Sequence, residues 1–324
     1  MRTFHSIAFA AALLVGSSLF AAEASKDQLP TSGPEVADAP NTLVMVVMDP
    51  LALPLSCPCV QGYAQRNYDK LAAKLQKDLE RPVRVVYSES LTKALKENAK
   101  GKAHIVIGKH SVVLFDGQKA NLKVTPIAKL TGKDGATNQT GLIVVPKDDP
   151  AMSVADLKGY RIVFGPEECD EKHLAALALL REKGIVPQGE LETSAACSDG
   201  ACNILDAFKK DDKTRGAALI SSYAKPLLEG CGTVEKGALR VVGETQPVPF
   251  VEAFVSEQVP ADERDKVAAA IVKSTKDPLL RLALETRDGF VAIAGNETAP
   301  AETKPAAVTP PAATPAAVET TAKK

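Results

Sequence analysis

The chain has 324 residues, and its 39 lysines and arginines nearly balance 40 aspartates and glutamates, for a formal net charge of -1. That balance, with no tryptophan and 4% aromatics, excludes a nucleic-acid-binding surface, which needs a basic face and stacking platforms. The length suits roughly two cores of about 100–200 residues each. Residues 1–24 read as a secretory signal: Arg2 gives a positive start, Ile7 to Phe20 is apolar, and Ala22-Glu23-Ala24 offers a cleavage site. The first cysteine, Cys57, lies far from that site, so the expectation is an exported, periplasmic protein that is not lipid-anchored. No later apolar run approaches the ~20 residues of a membrane-spanning helix.

Residues 25–41 are polar, rich in Pro and Asp and without periodicity, which predicts a flexible leader. Thr42 to Met48 is a continuous apolar run, the pattern of a strand buried on both faces. It opens into a loop holding Ser56-Cys57-Pro58-Cys59 and Tyr63. Tyr68, Leu71, Leu75 and Leu79 recur at helical spacing, Arg81-Pro82 breaks the helix, and Val83 to Tyr87 is the next strand. Ser88-Glu89-Ser90 caps a helix from about Leu91 to Ala99. A third strand, His104 to Ile107, ends in Gly108-Lys109-His110-Ser111. This alternation predicts a doubly wound α/β unit.

Gly141 to Val145 begins a second such unit, and Ser153 to Gly159 reads as a capped single turn leading into Tyr160-Arg161-Ile162-Val163-Phe164. That strand stops at Gly165-Pro166, and a loop with Glu167, Glu168, Cys169, Asp170, Glu171 and His173 precedes a helix from Leu174 to Leu180. Such strand-to-helix loops line the ligand crevice of open α/β sheets. Ala196 to Gly200 reads as a loop before a helix from Ala201 to Phe208, and Ala217 to Ile220 as a strand ending at Ser221-Ser222-Tyr223. Val248 to Val255 is an extended return, Asp262 to Leu284 is helical with a break at Asp277-Pro278, and residues 295–324 form a disordered Ala/Pro/Thr-rich tail.

Asn67-Tyr68 with Leu71, Leu75 and Leu79, Arg81 to Val86, Ser153 to Gly159 followed by Arg161 to Phe164, and Val242 to Phe254 with Pro247 and Pro249 resemble segments of the phosphonate-type (phosphate/phosphite/phosphonate) ABC transporter periplasmic solute-binding proteins. The resemblance spans roughly Thr42 to Phe290 and implies a two-lobed type II periplasmic-binding-protein fold. Each lobe would be a doubly wound, mostly parallel sheet, and the lobes would close by a hinge on a small ligand. Lobe one would comprise residues 42–140 plus 246–294, and lobe two residues 141–245. It further implies a non-enzymatic monomer without cofactor that serves an ABC permease. Carried over by position, the ligand-facing residues are Ser56, Tyr63, Ser88, His110, Ser111, Glu167, Cys169, Asp170, Ser198, Asp199, Ser221 and Tyr223.

Two features of the residues pull away from an oxyanion ligand. Relatives that take phosphonates present short hydroxyl residues and glycine where this chain has carboxylates, and one carboxylate ~4 Å from a bound anion opposes it by about 4 kcal/mol at an effective dielectric near 20. The second feature is the set of six cysteines. In an oxidising compartment they predict disulfides, with Cys197 and Cys202 able to close a local span. The alternative is a metal- or thiol-dependent binding or accessory protein holding copper or zinc through Cys57, Cys59, Cys169 and His173. Cys169 and His173, four apart, share one face if the helix begins by Cys169. No G-x-S-x-G elbow, Walker loop, dinucleotide fingerprint or H-E-x-x-H helix is present, which argues against an enzyme.

Overall fold

A computed structural model describes residue 39 and residues 41–57, 60–61, 64–187, 189–210 and 215–293. The expected signal, most of the leader, the tail, Cys59 and Tyr63 lie outside the described residues. In chain order the elements are β1 (Leu43–Met48), α1 (Tyr68–Leu79), β2 (Val83–Tyr87), α2 (Leu91–Glu97), β3 (Ile105–Lys109), α3 (His110–Lys119) and β4 (Val124–Leu130). They continue with β5 (Asn138–Gln139), β6 (Gly141–Pro146), β7 (Arg161–Val163), α4 (Leu174–Glu182), α5 (Cys197–Lys209), β8 (Gly216–Ser221), α6 (Ala224–Gly230) and β9 (Leu239–Glu244). The last are β10 (Val248–Pro249), β11 (Val251–Ser256), α7 (Ala261–Ser274), α8 (Pro278–Ala283) and β12 (Phe290–Ala292).

The strands form two larger sheets and a short ribbon, ordered β12-β4-β11-β3-β1-β2, β7-β8-β6-β9 and β10-β5. Both larger sheets are mixed. In the first, β1 runs parallel to β2 and β3, while β11 runs antiparallel to β3 and β4. In the second, β7 and β8 are parallel and β6 is antiparallel to β8 and β9. Strands β11 and β6 run against the direction of the winding, a step that hydrophobic pattern alone does not specify.

Each sheet is covered on both faces, which explains the uninterrupted apolar runs. In β1, Leu43, Met45 and Val47 pack with α1, α7 and α8, while Val44, Val46 and Met48 pack with α2 and α3. In β6, Ile143 and Val145 join the α4 side, and Leu142 and Val144 join the α5 side. Successive residues point to opposite faces, so a strand buried on both shows no alternation. Asn67 caps α1 and Ser90 caps α2, each accepting a hydrogen bond from a backbone N–H three residues on. Ser153 and Asp156 form a capping box around the 3-10 turn Val154–Leu157. The helical run from Asp262 splits as expected, because Asp277 accepts from the Leu279 N–H and Pro278 opens a new helix.

The chain crosses between the two sheets at residues 131–140 and 245–250. The crossings pair as the β5–β10 ribbon, with Val248 opposite Gln139 and Pro249 opposite Asn138. The carboxyl end of β3, the start of α3, the end of β8 and the loop after β7 are thereby brought together.

Candidate functional site

Two of the expected loops are not loops. Gly108 and Lys109 extend β3, and α3 begins at His110, so Lys109 sits at the last position of a central strand. The span Ala196 to Gly200 is the N-cap and first turn of α5. That corrects the local disulfide. Cys197 and Cys202 lie five apart on one helix, about 140° around its axis, and both are unbridged. Cys197 Sγ points at Ser221 Oγ, 3.6 Å away, whereas Cys202 Sγ is 3.9 Å from the Thr233 carbonyl. Cys169 is likewise unbridged.

The centre of the site is a buried ion pair between the two sheet units. Lys109 Nζ donates to Glu171 Oε1 at 2.5 Å, and Ser221 Oγ donates to the same oxygen at 2.6 Å. Glu171 is 0% exposed, Ser221 1% and Lys109 5%, so the pair is sealed from water. Cys169 Sγ lies 3.5 Å from Lys109 Nζ. Burial alone would lower the lysine pKa, but the Glu171 carboxylate outweighs it and holds the ammonium above its ordinary value. Burial would likewise raise Glu171, yet Lys109, the Ser221 hydroxyl and Lys172 bring it below the usual carboxylate range. Burial pushes the Cys169 thiol up, with Lys109 opposing.

The main chain at Glu171 is closely packed. It belongs to the 3-10 turn Asp170–Lys172, and its carbonyl oxygen would lie 1.9 Å from a Cβ at position 141, so only glycine fits at the start of β6. Across the cleft, Ser111 Oγ donates to the Glu168 carbonyl at 2.7 Å and accepts from the Asp170 N–H at 3.3 Å. Next to this seam, His110 Nδ1 is 2.5 Å from Glu252 Oε2, with Lys129 Nζ 3.9 Å from the other oxygen. Tyr223 stacks on Phe250 with ring centroids 4.9 Å apart, and the Arg66 guanidinium sits 5.5 Å from the Phe250 centroid. Arg66 and Tyr68 both donate to Asp49 Oδ2, at 2.9 and 2.5 Å, which fixes that floor.

Of the expected ligand-facing residues, His110, Ser111, Cys169, Asp170, Ser221 and Tyr223 lie along this seam. Ser88 does not: it is buried in a local turn, its hydroxyl donating to the Ser90 carbonyl at 2.8 Å. Glu167 points outward to Lys119, 3.7 Å away. Asp199 is exposed and Ser198 Oγ bonds its carboxylate at 3.3 Å, both in the first turn of α5. Ser56 Oγ is buried without a hydrogen-bond partner among the described residues. Lys109 and Glu171 fall within the segments Gly108 to Ser111 and Gly165 to His173 expected to face a ligand, though neither was singled out; Glu252, Phe250 and Arg66 were not anticipated as site residues.

The expectation of a Cys169/His173 helical pair is also corrected: α4 starts at Leu174, so neither residue is on it. His173 Nδ1 is 3.0 Å from the Gly165 carbonyl, and its ring stands 6.1 Å from that of Phe164. Cys169 faces an ammonium group, which disfavours a cation there. Among the described residues no group of three or more His, Cys, Asp or Glu side chains could hold a metal ion; Cys57 is exposed, and Cys59 is not described. No helix among the described residues is long and apolar enough to cross a membrane.

A family model described as the periplasmic phosphonate substrate-binding protein of ABC transporters matches residues 61–298. A search of curated proteins found no match. Among solved structures, a Xanthomonas citri protein bound to ATP superposes with a TM-score of 0.58 at 15% identity, covering 79% of this chain and 92% of that one. A binding-protein component of an ABC phosphonate transporter from Pseudomonas aeruginosa gives 0.56 at 12% identity, covering 78% and 81%. A Prochlorococcus marinus protein in complex with methylphosphonate gives 0.54 at 12%, covering 80% and 94%. At these identities the likeness is one of fold.

Proposed function

The chain belongs to the family of periplasmic phosphonate substrate-binding proteins of ABC transporters, and from that premise we propose that it captures its small-molecule ligand in the cleft between β3 and the loop after β7. Residues 42–140 plus 246–294 act as one lobe and residues 141–245 as the other, hinged at the β5–β10 crossing. The protein is exported by cleavage of its first 24 residues, works as a soluble monomer without catalysis, and delivers the ligand to a permease. The observation that carries the reading is the convergence of Lys109 from one sheet unit with Glu171 and Ser221 from the other, at strand ends where open α/β sheets bind their ligands. Tyr223 on Phe250 supplies an apolar wall beside them.

A thermal-shift panel of oxyanions, neutral solutes and divalent or cuprous ions, followed by calorimetry on the hits, tests this. The expected result is stabilisation by one ligand class that is lost in Lys109→Met. A ligand shift that survives Lys109→Met unchanged places the solute elsewhere and refutes the assignment of the cleft.

A further inference from the structure

We infer that Glu171 is a specificity-determining residue that excludes oxyanions: its carboxylate occupies the place at Lys109 and Ser221 that an anionic ligand would take, so the cleft selects solutes without net negative charge. This rests on the cleft being the solute site, as proposed above.

An ammonium and a hydroxyl converging at the end of a central strand are the donors an oxyanion wants. Both are already spent, and on the same atom, since Lys109 Nζ and Ser221 Oγ each bond Glu171 Oε1. The second oxygen, Oε2, is buried and has no hydrogen-bond partner among the described residues. A buried carboxylate oxygen without a donor is unfavourable, and a solute N–H or O–H reaching it would relieve that. At pH 7 phosphate and methylphosphonate keep such a donor in their protonated forms, but their net negative charge faces the carboxylate at close range.

The main chain that carries Glu171 is held in place. Its carbonyl presses on Gly141, where even a methyl group would collide. The turn that carries it is closed by Lys172 N–H to the Cys169 carbonyl at 2.9 Å and by Gly165 N–H to the Lys172 carbonyl at 3.2 Å. Asp170, at the seam, adds a second carboxyl on the same turn and is itself tied to Ser111 through its N–H. Lys129 Nζ and His110 Nδ1 both face Glu252, Arg66 is paired with Asp49, and Lys172, buried on the same turn, acts with Lys109 to hold the Glu171 carboxyl below its ordinary range. An anion arriving at Lys109 and Ser221 therefore meets the Glu171 carboxylate already in its place.

An uncompensated like charge about 4 Å away at an effective dielectric near 20 opposes an anion by roughly a thousandfold, and the Lys109 ammonium beside Glu171 offsets part of that. The test is calorimetric titration of the full chain with inorganic phosphate and with methylphosphonate at pH 7, in wild type, Glu171→Gln and the double variant Lys109→Met/Glu171→Gln. Glutamine keeps the shape and an acceptor for Ser221 while removing the charge. Wild type is expected to show no binding at millimolar anion, Glu171→Gln to bind at least about 100-fold more tightly, and the double variant to lose that gain. Micromolar phosphate or methylphosphonate binding by wild type overturns the inference. So does a Glu171→Gln protein that melts cooperatively and gains less than about threefold. Should Glu171→Gln fail to fold, Glu171→Ala and Glu171→Ser are read by the same criterion, and wild-type anion binding alone still decides. Failure of the cleft assignment shows up separately, as a ligand shift indifferent to Lys109→Met.

Discussion

Replacing Lys109 by methionine isolates the energetic role of the central ion pair. The substitution retains most of the buried aliphatic stem but leaves Glu171, 0% exposed, with only the Ser221 hydroxyl as donor. Stranding one member of a buried pair costs about 3–5 kcal/mol. At about 2–4 °C per kcal/mol for a chain of this size, that is a fall in melting temperature of roughly 6–20 °C. Removing both charges in Lys109→Met/Glu171→Gln should recover much of the loss, because an apolar or neutral replacement of a buried pair is often close to neutral. A double-mutant cycle by calorimetric or denaturant unfolding should thus report a coupling of about 2–3 kcal/mol. The pair joins the two sheet units, so the cycle also reports whether they stay together without ligand. If Lys109→Met costs less than about 1 kcal/mol, the ammonium is hydrated in solution and the closed arrangement of Lys109 on Glu171 is refuted.

The same pair predicts a pH dependence. Glu171 is held below the ordinary carboxylate range, so its contribution is present above about pH 4.3 and is lost as pH falls through its lower folded value; Lys109 is raised, so its part is complete below about pH 10.4 and lost only beyond it. Melting curves of wild type should therefore be flat from this source between about pH 5 and 9, with an acid decline that is shallower in Lys109→Met/Glu171→Gln; equal acid slopes would refute it. Gly141→Ala drives a methyl group into the Glu171 carbonyl and should destabilise by about 1–3 kcal/mol or more in denaturant titrations, whereas an unchanged midpoint would mean the turn is not packed as described. Cys169, buried and with its thiol pKa raised, should resist iodoacetamide at pH 8 until the protein is unfolded; peptide mapping reads the labelling, and rapid native labelling of Cys169 would contradict its burial.

The architecture was legible because the strands announce themselves. The apolar runs at β1 and β6, the helical spacing of Tyr68, Leu71 and Leu75, and the caps at Asn67, Ser90, Ser153 and Asp277 each act locally, within one turn or one strand. What was missed acts at long range or against local propensity. Helix α3 runs through Val112, Val113 and Gly117, all poor helix formers, and is held by packing: a Cβ on Gly117 would meet the Leu122 carbonyl at 3.1 Å. The start of α5 was hidden by Ser198-Asp199-Gly200, which reads as a turn. Gly200 is buried there because Ser194 Oγ would lie 2.9 Å from any Cβ. The site's central pair was the least legible part. Lysine and glutamate default to solvent, and nothing local marks two of them, 62 positions apart, as partners. The one available signal was Lys109 following Ile105-Val106-Ile107-Gly108 without a break, a charge at the end of a fully buried strand.

The acidic loop was thus the right place to look, but for one of its four acids rather than for the group. Glu167 points outward, and Asp170 contributes its backbone N–H to the seam. Of these side chains Glu171 makes the buried ion pair to the opposite sheet unit. In the proposed two-lobed clamp its bond to Lys109 would do two things with one contact: neutralise the charge that would recruit an anion, and favour the closed cleft when no ligand is present. Every 1.4 kcal/mol the pair adds to closure reduces the open population tenfold. A ligand that enters only the open form has its apparent affinity reduced by the same factor. Selectivity against oxyanions and slow admission of the correct solute are then two consequences of a single carboxylate, and Glu171→Gln should relax both together.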